Sequence, residues 1–233
     1  MKLKNSRILI TGGSSGLGKA MAVALVEQGA NVVITGRDKE KLEKVANDIG
    51  CTALHFDVGN YDSIAENAAK AIELLGGLDV LINNAGIGEF ALVDELTVDQ
   101  FEKIFTTNVF GLAMLSQEVI KYFKIQNKGN IINIGSTAAA KGFAYGTVYA
   151  ASKFALRGMT ECWQAELRKH NIRVMLVNPS EVPTAFNVSD RAEKADEPKK
   201  LTPVEIAHSI VSVLSMDDRG FIPELAVWAT NPF

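Results

Sequence analysis

The sequence predicts an α/β fold, a doubly wound parallel sheet in a single domain over residues 1–233. Three observations carry that prediction. Short β-branched runs alternate with longer amphipathic stretches along the chain. A glycine-rich turn follows the first β-branched run and opens a helix. The 233 residues, 47% hydrophobic and 22% charged, suit one large core rather than two small ones.

In chain order, residues 7–11 (RILIT) read as a strand and 16–28 as a helix, followed by strand 31–35 (NVVIT) and helix 39–49. Strand 52–56 (TALHF), helix 61–75 and strand 78–82 (LDVLI) come next. Helix 100–123, strand 130–134 (NIINI), helix 149–169 and strand 172–177 (IRVMLV) follow, and helix 203–215 and a short strand at 224–229 finish the chain. Strands alternating with helices imply right-handed βαβ units and a sheet covered on both faces. Thr97-Val98-Asp99-Gln100 and Thr202-Pro203-Val204-Glu205 are capping-box patterns, the second with proline at the first helical position. The charged segment 187–200 (NVSDRAEKADEPKK) reads as a mobile loop over a site, since the 33 residues after it are too few for a second domain.

Composition narrows the function classes. A net charge of −3 offers no electrostatic attraction to nucleic acid or to an acidic membrane. Cys51 and Cys162 stand far apart, which suits a reducing cytosol and predicts two structural thiols and no metal site. The run Ile8-Leu9-Ile10 is too short for a signal peptide, and no run approaches the ~18 apolar residues of a membrane span. A cytoplasmic protein without nucleic-acid or membrane partners is expected.

The first functional signal is Thr11-Gly12-Gly13-Ser14-Ser15-Gly16-Leu17-Gly18. Glycines at 12, 16 and 18 let the backbone turn tightly and approach a pyrophosphate, while the helix start offers N–H donors. The turn therefore predicts dinucleotide contacts from Gly12, Ser14, Ser15, Gly16, Leu17 and Gly18. At the end of the second strand, an NAD-selective fold usually places a carboxylate for the ribose 2′-hydroxyl. Here Gly36 and Arg37 stand instead, and an arginine forks onto a 2′-phosphate. NADP(H) is thus expected over NAD(H), with Asp38 near enough to blunt Arg37. After the third strand, Asp57 and Val58 read either as an adenine contact or as a plain strand-end turn.

Residues 148–154 read V-Y-A-A-S-K-F, placing Tyr149 and Lys153 on one helical face. A phenol with a pKa near ~10 is a poor acid–base at neutral pH, and a neighbouring ammonium should lower it. With the glycine turn, Asn83-Asn84-Ala85-Gly86 after the fourth strand, Asn108 in the next helix and Ser136 after the fifth strand, the chain resembles the short-chain dehydrogenase/reductase family over nearly its whole length.

That resemblance implies a Rossmann fold and an NADP(H)-dependent oxidoreductase that reduces a ketone or aldehyde, or oxidises the alcohol. It implies that Tyr149 moves the proton, Lys153 bonds the nicotinamide ribose, Ser136 holds the carbonyl oxygen and Asn108 holds a relay water. Asn84, Ala85 and Gly86 belong to the cofactor site, and Pro179, Val182 and Thr184 match the segment that holds the carboxamide. Ser180 stands where the family has glycine, a strain if that position needs positive φ. The family's usual Asp-Gly-Gly tail is missing after Trp228, so no substrate carries over. A 3-oxoacyl thioester and a small diketone, pterin-like or xenobiotic carbonyl stay open, as does a dinucleotide-sensing protein without turnover. Phe90, Phe143, Tyr145 and Phe186 read either as an apolar substrate pocket or as core. Helix 101–123 is apolar nearly all round, and the resemblance implies a homodimer or homotetramer through it and the Tyr149 helix.

Overall fold

A computed structural model describes residues 1–184, 186, 195 and 197–232. The strands are β1 (Arg7–Ile10), β2 (Asn31–Gly36), β3 (Thr52–His55), β4 (Val80–Asn83), β5 (Gly129–Ile134), β6 (Ile172–Pro179) and β7 (Glu224–Val227). They form one parallel sheet in the order β3-β2-β1-β4-β5-β6-β7. Strand order reverses between β1 and β4, where Ile8 faces Val80 and Ile10 faces Ile82. Ligands of open α/β sheets bind at such a reversal, beyond the carboxyl ends of the strands.

The period of two along each strand sorts the core into two layers. Ile8, Ile10, Val32, Ile34, Val80 and Ile82 point to one face. There they meet α1 (Gly16–Glu27), α2 (Lys39–Ile49) and α7 (Pro203–Ser215). Leu9, Val33, Leu81, Ile131 and Val174 point to the other. That face packs on α3 (Ile64–Leu75), α5 (Leu112–Gln126) and α6 (Thr147–Leu167). Both expected capping boxes are formed, Thr97 with Gln100 at the start of α4 (Val98–Phe105) and Thr202 with Glu205 at α7. Of the charged segment 187–200, residues 187–194 and 196 lie outside the described residues; Glu197 and Lys200 form an ion pair at 3.0 Å.

Two expectations are corrected. Helix 100–123 is not uniform: α4 runs to Phe105, Thr106–Gly111 make a π-turn, and α5 continues from Leu112. Gly111 permits this turn, because a Cβ there would lie 2.1 Å from the Val58 carbonyl oxygen. The inserted residue turns the helix phase by about 100°. Ser180 carries no strain, since it is absent from the positive-φ residues and its amide donates to the Val227 carbonyl at 2.9 Å. Among the described residues no helix is long and apolar enough to cross a membrane.

The close approach at Gly111 yields a test of the π-turn. Gly111→Ala must push α5 away from the Val58 carbonyl. We expect its urea midpoint to fall by the equivalent of about 1–3 kcal/mol.

Candidate active site

A cavity of about 890 Å³ opens at the strand reversal. Its floor is the glycine turn. Gly12 has φ +68°, and a Cβ there would meet the Ala85 Cα at 3.0 Å. Gly16 has φ +51° and sits under Thr184, whose Cβ would lie 3.3 Å from an added methyl. Gly18 does not line the cavity; it lies behind the turn, where a Cβ would be 2.1 Å from the Gly12 carbonyl. Asn84 supports the turn from the other side, its Nδ2 donating to the carbonyls of Thr11 at 2.9 Å and Gly12 at 3.0 Å. Its side chain therefore shapes the cradle instead of reaching into it.

Ser14, Ser15, Leu17, Arg37, Asp57, Val58, Asn84, Ala85, Gly86, Pro179, Val182 and Thr184 all line this cavity. Asp38, next to Arg37, has a second role. It caps α2, its Oδ1 accepting from the Lys41 amide at 3.0 Å, and no described ion pair joins the two. Asp57 Oδ1 accepts from the Gly59 amide at 2.9 Å, the strand-end turn that was the second reading of that residue.

The expected catalytic groups meet at the inner end. Ser136 follows β5 in extended backbone, its Oγ accepting from the Ala138 amide at 3.1 Å and facing the Tyr149 hydroxyl, whose proton affinity it lowers. Lys153 lies one turn along α6 and is 6% exposed, its Nζ donating to the Ile134 carbonyl at 2.8 Å. Nζ stands 5.7 Å from the centre of the Tyr149 ring. Asn108 is held by three bonds: it accepts from Ile87 N at 2.9 Å, donates to Ile87 O at 2.9 Å, and donates to Ser152 Oγ at 3.2 Å. It stands behind the cavity wall, fixing the loop after β4 to α6.

The electrostatics depart from the simple expectation. Burial pushes the Tyr149 phenol above its ordinary value, against the lowering effect of Ser136. Burial also draws Lys153 down from 10.5 to about 8. In both groups burial disfavours the charged form.

Phe90 and Phe186 flank the Tyr149 ring, each with its centroid at 5.6 Å, and Phe143 stands 5.9 Å from Phe90. All three line the cavity, so the pocket reading of these rings holds. Tyr145 does not; its carbonyl accepts from the Ala91 amide at 3.0 Å with φ +67°, pinning the wall that carries Phe90 and Phe143. Asn178, Glu224 and Trp228 also line the cavity. Sequence reasoning missed them, because no local pattern marks a side chain brought in by strand pairing.

The buried lysine predicts a pH-dependent stability difference. Lys153 binds its proton more weakly folded than unfolded, so below about pH 8 its charge weakens the fold, and the penalty disappears as pH rises to about 10.5. Lys153→Met should therefore be more stable than the parent at pH 7, by up to about 3 kcal/mol, with the difference shrinking between pH 8 and 10.5. Urea unfolding at several pH values checks this.

The match to known proteins follows the same geometry. Residues 6–195 fit the family model of the short chain dehydrogenases. An NADP-dependent 3-hydroxy acid dehydrogenase of Schizosaccharomyces pombe is 31% identical, with 99% of this chain and 95% of that protein covered. An alcohol dehydrogenase of the archaeon Thermococcus sibiricus, solved with 5-hydroxy-NADP, superposes with a TM-score of 0.88 at 27% identity over 97% of both chains. A 3-ketoacyl-(acyl-carrier-protein) reductase of Brucella melitensis, solved with NADH, superposes at 0.86 with 25% identity over 99% of this chain and 100% of that one. The glycine cradle at the strand reversal and the Ser136–Tyr149–Lys153 cluster sit on this shared frame, and the chain belongs to the short chain dehydrogenase family.

Proposed function

We propose that this protein is a cytoplasmic, NADP(H)-dependent oxidoreductase that interconverts an apolar ketone or aldehyde and its alcohol. The observation that carries this reading is Tyr149, which lines the same cavity as Ser136 and the glycine cradle and is flanked by aromatic rings. The chain's residues fit a dinucleotide. The cradle excludes side chains at Gly12 and Gly16, and Lys153, with three donors, uses one on Ile134 O. When bound, the nicotinamide supplies or accepts the hydride.

In reduction, Ser136 Oγ and the Tyr149 hydroxyl hold the carbonyl oxygen, and Tyr149 gives it a proton as the carbonyl carbon gains hydride. A phenol with a raised pKa is protonated at neutral pH and ready for that direction. In oxidation the same group must first lose its proton. Lys153, charged below about pH 8, would favour that loss by its positive charge and would bond ribose hydroxyls. Asn108 steadies the loop after β4, and the relay water assigned to it by resemblance belongs to this proposal.

Arg37 supports NADP(H) because it lines the cavity just beyond β2, where no carboxylate ends the strand. The archaeal and fission-yeast proteins carry NADP in their descriptions, and the Brucella one carries NADH. The apolar lining supports both a 3-oxoacyl thioester and a compact diketone. Phe110, Met114 and Phe154 expose 50%, 43% and 47% of their surface on or beside α5 and α6. A second copy of the chain covering that face would bury them.

Tyr149→Phe should lower kcat for NADPH-linked carbonyl reduction at least a hundredfold. Unchanged turnover refutes the mechanism, and no turnover of either substrate by the parent, with NADPH still bound, favours a sensor. Arg37→Ala should weaken NADPH about 10–100-fold with NADH little changed, since it removes one charge-assisted contact; equal losses refute the phosphate role. In size exclusion the protein should elute at a dimer or tetramer mass, and a monomer mass overturns the assembly.

A further inference from the structure

The polar contacts around Ser136 form a chain that runs through the last strand. Asn178, at the end of β6 and 2% exposed, accepts from the Ser136 amide at 3.1 Å. Its Nδ2 donates to Glu224 Oε1 at 2.8 Å, and Glu224 Oε2 accepts from Arg157 Nη2 at 2.8 Å. Arg157 lies on α6, four residues after Lys153 and eight after Tyr149, on the same face. Tyr149, on the same helix as Arg157, faces Ser136 at the other end of this chain of bonds. Nothing can intervene at its tightest point, because a Cβ on Gly135 would fall 2.1 Å from Asn178 Oδ1.

We infer that Glu224, on β7, is a positioning residue that sets the separation of Ser136 and Tyr149. It holds the serine through Asn178 and the tyrosine helix through Arg157. Neither end is redundant. Asn178 is the described side chain that bonds the Ser136 amide, and Arg157 uses its other edge, Nε, on Glu161 at 3.1 Å. The inference rests on the reading of Ser136 and Tyr149 as the reacting pair.

The test uses the full chain with NADPH and the better of the two carbonyl substrates. Glu224→Ala should lower kcat about tenfold or more, as expected when a reacting group shifts by a fraction of an ångström, while NADPH affinity by fluorescence stays unchanged. The alkaline limb of the reduction pH profile should also move, because Ser136 shifts relative to Tyr149. The double variant Arg157→Ala/Glu224→Ala should lose no more than the worse single variant, since both break one chain of bonds. A lowered melting temperature with unchanged kcat and pH profile overturns the inference and leaves Glu224 a structural residue. Independent, multiplying losses in the double variant overturn it as well. Full turnover in Tyr149→Phe would instead bring down the catalytic reading beneath it.

Discussion

One buried hydroxyl holds the two halves of the sheet together where they diverge. Thr11 Oγ1, 1% exposed, accepts from the amides of Asn84 at 3.0 Å and Ala85 at 2.9 Å. The Asn84 side chain returns two bonds to the carbonyls of Thr11 and Gly12. Right-handed crossovers send β2 and β3 one way from this point and β5 to β7 the other, so the backbone must part here. Without the lock, two loops would present unpaired amides to a low-dielectric interior, at about 1–3 kcal/mol each. With it, the parting becomes a cleft of fixed width whose floor is bare backbone.

A second polar chain, below that cleft, fixes the helices that form its wall. Asn83 Nδ2 donates to Ser116 Oγ on α5 at 2.8 Å and to Asn133 Oδ1 at 2.9 Å. Asn133 then donates to Thr160 Oγ1 on α6 at 2.9 Å. Apolar packing alone lets a helix slide by a fraction of a turn at little cost, whereas a buried chain of hydrogen bonds favours one register, even with Asn83 Oδ1 left without a partner. The face of α6 that reaches Thr160 also carries Lys153 and Arg157, so the register that satisfies this chain also orients the site.

Much of this was legible in the sequence because it is written in local periods. Alternation placed every strand, the two capping boxes marked their helices, and the glycine turn lay where the β1–α1 junction requires it. Tyr149 and Lys153 were legible because one helix holds both. Effects that depend on distant packing were not. The phenol's pKa rises because burial, a property of the assembled fold, outweighs the lowering effect of Ser136. The role of Asp38 as the cap of α2 also needed the helix start to be placed. Asn178 and Glu224 come together because β6 pairs with β7, across 46 residues of chain. Helix 101–123 seemed apolar all round because one straight wheel was laid over two helices with different phases.

That change of phase bears on redesign of the scaffold. A designer seeking regularity would remove one residue from Thr106–Gly111 and recover an unbroken helix with better hydrogen-bond geometry. The edit would swing one half of the helix by about 100° relative to the other. Asn108 would leave Ile87 and Ser152, and the loop after β4 would lose its tie to α6. The irregular turn is therefore a dimension of the site, and idealising it would straighten the helix at the expense of the loop beside the reacting groups.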